Sequence, residues 1–403
     1  MENTTQKTNI RWLYLAVGTF AMLFAGILYA WSILKAPFSV EFGWSPSDLT
    51  LNFTITMSFF CMGGLLGAQI SKRMGSRFAI VISGLLASGG FALTSLLTGT
   101  SVALLYLAYG FLAGLGIGIS YNVVVATVST WFPDKKGLCS GCLMMGFGAS
   151  ALVLGNWASS MFEGAMGWRR TYVILGLALG AVLILTGLIL KRPAANQVFP
   201  RVNKAEESSQ VQDFTSGEML RRPSFWMAFF YLVCLSAVGS SVISFARDLA
   251  LSVGAPAALA TSLVGALSIC NGLGRMATGA AFDALGRRKT MLIANCLTIC
   301  AAGAILIAML TGTLALCVLG LCLTGLSYGS CSTTTATFPA VFYGMKHYPT
   351  NVAYMTFNLM GGSLVATLSS LLLTATGGYV APFLLLLGLT VVALGLNLAL
   401  RKP

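Results

Sequence analysis

A chain of 403 residues that is 57% hydrophobic and only 9% charged excludes a soluble enzyme, because soluble domains carry about 25% charge. Its 24 Lys and Arg exceed its 11 Asp and Glu, but the basic residues sit between apolar runs rather than on one soluble face, which argues against a nucleic-acid partner. Runs of about twenty apolar residues, each long enough to cross a bilayer, make lipid the expected surroundings.

Residues 1–11 are polar and lack the short apolar core and small-residue cleavage site of a removed signal peptide, so the first span is expected to be retained. Hydropathy predicts spans near 11–34, 50–70, 78–98, 101–131, 138–160 and 170–190, then near 223–246, 257–281, 290–311, 313–341, 351–376 and 379–400. Between the two sets, 191–222 is the only long polar stretch and reads as a cytosolic linker. The expected fold is an all-α integral membrane protein of twelve transmembrane helices, arranged as an N-terminal bundle over 1–190 and a C-terminal bundle over 223–403.

The two sets repeat weakly, as in secondary transporters built from parallel repeats. Lys72-Arg73-Met74-Gly75-Ser76-Arg77 after the second span answers Asp283-Ala284-Leu285-Gly286-Arg287-Arg288 after the eighth, and Phe132-Pro133 answers Phe338-Pro339. With the N-terminus inside, nearly all basic loop residues face the cytosol, and only Lys35, Arg169, Arg170 and Arg247 face outward. The expected topology therefore has both termini cytosolic, in the cytoplasmic (inner) membrane.

One arginine, Arg275, falls within a span. A guanidinium at a membrane centre costs roughly 2.5–3.5 kcal/mol on insertion scales, so it usually serves a purpose. It lies about 12 Å from the span's cytosolic end, near the bilayer middle where transporter sites lie. All eleven acids fall in loops or at span ends, so the cation has no evident counter-ion within the spans. A planar carboxylate accepting two parallel hydrogen bonds suits it; a phosphate ester would favour more than one basic group.

Tyr29, Tyr121, Asn122, Asn271, Tyr328, Ser332 and Asn358 could complete a cavity around Arg275. Each could equally make a helix-packing hydrogen bond. Lys35 is expected to snorkel to the headgroups, and His347 to be a solvated loop residue. Gly110, Gly114, Gly116 and Gly118 sit mid-membrane with no preceding strand, which favours close helix packing over a nucleotide loop. Cys139 and Cys142 form a lone CxxC without a His or a second pair, and read as small packing residues. No metal or cofactor is expected.

Gly279-x3-Asp283-x2-Gly286-Arg287-Arg288 resembles the loop motif of the major facilitator superfamily. The first copy, around Gly75, departs from it, with Lys72 where the acid is expected. Within that superfamily the chain resembles the oxalate/formate antiporter and monocarboxylate transporter branch. The matching stretches are Tyr29-Ala30-Trp31-Ser32, Trp131-Phe132-Pro133-Asp134-Lys135-Lys136-Gly137, Ser216-Gly217-Glu218-Met219-Leu220 before Pro223, and Asn271-Gly272-x-Gly274-Arg275. The resemblance implies that Arg275 is a carboxylate-binding residue, that Tyr29, Tyr121 and Tyr328 line the cavity, and that Gly75, Asp283, Gly286, Arg287 and Arg288 belong to gating loops. It also implies a lysine in the eleventh helix for oxalate exchange, where this chain has Asn358 and Leu359, and an aspartate one turn before the arginine for proton coupling, where it has Asn271.

The expected function is secondary transport of a small organic anion by alternating access, with a monocarboxylate such as lactate, pyruvate or formate as the leading substrate. Protons are a candidate coupling ion, and the working unit is expected to be a monomer. A dicarboxylate/monocarboxylate exchanger is the alternative. A non-transporting receptor is more remote, and a membrane enzyme would need a His or acid cluster that the chain lacks.

Overall fold

The computed structural model describes residues 2–132, 136–193, 213–344 and 347–401. Pro133, Asp134, Lys135, Lys346, linker residues 194–212 and the Asp283 side chain, for which the sequence carries expectations, lie outside the described residues. Among those described there is no strand. Twelve helices among the described residues are long and apolar enough to cross a membrane. The first six are Ile10–Phe42, Pro46–Met74, Ser76–Ser95, Val102–Ser129, Gly141–Glu163 and Gly167–Ile189. The second six are Pro223–Ser252, Ala257–Phe282, Ala284–Thr311, Leu314–Tyr343, Thr350–Thr376 and Val380–Ala399.

Two boundaries differ from expectation for identifiable reasons. The first span runs past Lys35 to Phe42. Pro37 sits in the first turn of its last segment, where a missing N–H costs nothing, and Phe38 is buried against Trp168 and Tyr172. The expected loop between the eighth and ninth spans shrinks to one residue. Helix runs from Ala257 to Thr311, interrupted only at Gly286, with φ 72° and ψ 169°. Gly75, between the second and third spans, has φ 89° and ψ 156°. A side chain is strongly disfavoured in that region of backbone space, so the two glycines of the repeated loop motif are turning points. Arg287 lies over the Phe342 ring at 5.0 Å, and Arg288 is exposed.

The stretch Ser216–Leu220 is a short helix with a capping box: the Thr215 N–H donates to Glu218 at 2.8 Å, and the Glu218 N–H donates to the Thr215 hydroxyl. The Thr215 backbone N–H first, and then the Thr215 hydroxyl donating to the carboxylate at 2.8 Å, hold the Glu218 carboxyl below its usual range. Ser216 donates to Asn351 at 2.7 Å, and Asn351 donates to the Phe214 carbonyl at 3.1 Å. The motif therefore stitches the entry of the seventh span to the entry of the eleventh. His347 occupies the N-cap position of the helix Tyr348–Thr356, without a side-chain capping bond, and is half-buried there rather than fully solvated.

The glycines of the fourth span pack as expected. Gly114 and Gly118 lie against the backbone of Thr56 and Phe60 in the second span, and Gly116 against Ser83 and Ala87 in the third. Irregular turns occur inside several spans. The first becomes a 3₁₀ helix over Gly26–Ala30, the fifth contains a π turn over Ala151–Gly155, and the eleventh is interrupted at Phe357. Such departures reorient side chains without breaking the span. The 3₁₀ segment carries Tyr29.

Candidate functional site

Arg275 is buried, with 5% of its surface exposed. Its helix packs closely on the tenth span because that span offers bare backbone: a Cβ at Gly329 would collide with the Asn271 carbonyl oxygen. The opposite face of the eighth span meets the fifth through glycines on both helices. A Cβ at Gly148 would fall 2.9 Å from the Ser268 carbonyl oxygen, and Gly265 and Gly272 lie against Leu152 and Met145. Small residues let helix backbones approach in this way. Here they bring the two sets of six spans together at Arg275.

The guanidinium has three neutral acceptors. Nε donates to Asn271 Oδ1 at 3.1 Å, Nη1 to Met144 Sδ at 2.8 Å and Nη2 to the Tyr29 hydroxyl at 3.1 Å. Tyr121 also donates to Met144 Sδ, at 3.2 Å. Among the described residues no carboxylate lies within ion-pair distance of Arg275; the ion pairs described are Lys35 with Asp248 and Arg169 with Glu41. Aromatic rings wall the group. Tyr29 and Tyr121 meet Phe147 edge-on, with ring centroids 5.1 and 5.2 Å apart, and Tyr29 meets Tyr328 at 5.8 Å.

Of the residues expected at the site, the fold brings Arg275, Asn271, Tyr29, Tyr121 and Tyr328 together. Tyr328 is buried against Gly239 of the seventh span, and its hydroxyl is turned toward Ser240 without closing a hydrogen bond. The other three are used elsewhere. The Asn122 amide lies against Gly64 of the second span. Ser332 donates to the Tyr328 carbonyl of its own helix at 3.1 Å. Asn358 is fully buried and donates to Thr335 at 2.9 Å and to the Met355 carbonyl at 2.6 Å, clamping the interrupted eleventh span to the tenth.

Lys35 does not snorkel. Its ammonium is buried and pairs with Asp248 at 2.8 Å, joining the first span to the seventh at the end of the bundle away from the linker. Ser47 with Thr374 at 3.0 Å and Thr54 with Thr367 at 2.7 Å tie the second span to the eleventh from that same end inward. Met144 and Phe147 have no counterpart in the sequence reading. Their i, i+3 spacing puts them on one helix face, but an apolar pair in an apolar run carries no signal of a site.

The family model for the Major Facilitator Superfamily matches residues 13–362. The chain belongs to that superfamily. It is a multi-pass membrane transporter and not an enzyme. The transporter is 29% identical over 296 residues to the oxalate:formate antiporter of Oxalobacter formigenes, covering 72% of this chain and 68% of that one. It is 36% identical over 111 residues to monocarboxylate transporter 12 of Mus musculus, covering 28% of this chain and 22% of that one. In structure it is similar to a bacterial homolog of the human lysosomal transporter Spinster, with a TM-score of 0.74 at 16% identity, covering 98% of this chain and 97% of that one.

Proposed function

We propose that the transporter carries a small monocarboxylate across the cytoplasmic membrane by alternating access, with Arg275 gripping the carboxylate. The observation that carries this reading is a buried guanidinium at the meeting of the two sets of spans, hydrogen-bonded among the described residues to neutral groups alone. A carboxylate supplies the missing negative charge and two parallel acceptors. The surrounding tyrosine and phenylalanine rings suit a short carbon chain. Similarity to an oxalate:formate antiporter and a monocarboxylate transporter supports the same substrate class.

A dicarboxylate would need a second cation. Lys35 is held by Asp248, and the eleventh span offers Asn358, already engaged in a clamp. Uptake of labelled lactate into proteoliposomes should therefore be inhibited by excess pyruvate or formate more strongly than by equal oxalate. Stronger inhibition by oxalate would favour the dicarboxylate exchanger.

The proposed orientation places both termini in the cytosol, from the distribution of basic loop residues. With the native cysteines replaced, Ser208→Cys in the linker should react with an impermeant maleimide only from the cytosolic side. Labelling from outside intact cells would overturn that orientation.

A further inference from the structure

Two donors from different sets of spans converge on one weak acceptor. Arg275 Nη1, from the eighth span, and the Tyr121 hydroxyl, from the fourth, both point at Met144 Sδ, at 2.8 and 3.2 Å. A thioether is a poor acceptor for either. A carboxylate oxygen at the same locus would accept both, with charge assistance from the guanidinium. The adjacent Nη2 donates to Tyr29, so a second oxygen could be met beside the first.

We infer that the Met144 thioether stands in for a substrate oxygen: it partners Arg275 and Tyr121 when the carrier is unloaded and is displaced when a carboxylate binds. This rests on the carboxylate reading above. Methionine suits the role because it is unbranched, with three rotatable bonds and a soft, weakly held sulfur. Met144 is itself buried on the helix face that meets the eighth span, between Gly141 and Gly148, so it is the side chain there that reaches the guanidinium. Without an acceptor at this position, the unloaded carrier would have to close around unpaired buried donors, which is unfavourable. Met144 thereby sets how readily the unloaded carrier returns, and how much a substrate must displace to bind.

The test compares Met144→Leu and Met144→Gln in proteoliposomes, with labelled lactate as the probe. Exchange is measured in vesicles preloaded with lactate, and net uptake in unloaded vesicles. Leucine keeps the bulk and removes the acceptor. Net uptake should fall about tenfold, while the lactate concentration for half-maximal exchange falls because no side chain competes for the guanidinium. Glutamine restores an acceptor, and a better one. Net uptake should match or exceed the wild type, and the lactate concentration for half-maximal exchange should rise. A packing role predicts the reverse order, with leucine harmless and glutamine damaging in both modes, and that result would overturn the inference. Wild-type activity with both variants unchanged would overturn it too, leaving the carboxylate reading intact. A wild type silent toward lactate, formate and oxalate would remove the carboxylate reading and this inference together.

Discussion

Arg275→Lys should lose most transport, roughly 10–100-fold in kcat/KM, although it keeps the positive charge. The guanidinium reaches Asn271, Met144 and Tyr29 from three different nitrogens. An ammonium on a shorter stem cannot reproduce that planar fork or offer two parallel bonds to a carboxylate. Hydrogen bonds to charged groups contribute about 1.5–3 kcal/mol each, so losing one accounts for the expected range. The measurement is labelled lactate uptake in proteoliposomes, corrected for the amount of protein inserted and for its elution as a single species. Near-normal uptake would make Arg275 a structural residue.

Exchange should outpace net flux. Among the described residues Arg275 has no carboxylate partner, so the unloaded site is formally positive and the site holding a monocarboxylate is close to neutral. Moving one uncompensated charge through the full membrane field costs about 2.3 kcal/mol per 100 mV. The loaded carrier avoids most of that cost on reorienting. Lactate-preloaded vesicles should therefore take up label faster than empty vesicles given an inward proton gradient. Equal or faster accumulation in the empty vesicles would favour proton symport, and would require a titrating group elsewhere, because Asn271 stands where an acid would sit and does not titrate.

Much of the fold was legible because lipid imposes a simple rule: a span must be apolar for about twenty residues, and loops collect the charge. Boundaries drifted where a charge is neutralised inside the protein. Lys35 looks like a span end to hydropathy, yet its pairing with Asp248 lets the helix continue. The loop motif around Gly286 reads as a connection of several residues, whereas one positive φ suffices to turn the chain.

At the site, Arg275 was visible because a lone charge in an apolar run is costly and therefore rare. Its partners were less so. Asn358 and Tyr121 are alike in sequence terms, as polar groups within spans, but one clamps two helices and the other reaches Met144. Met144 was invisible, since its chemistry here comes from the donors that face it.

The membrane class, the twelve spans and the arginine at the middle of the eighth are readable along the chain, because each follows from the cost of exposing or burying charge in lipid. Which polar residues meet Arg275, the pairing of Lys35 and the methionine that completes the group emerge only from how the helices pack. Those facts depend on helix rotation and on close approach at glycines such as Gly148 and Gly329, and contacts between spans distant in sequence leave no periodic trace along the chain.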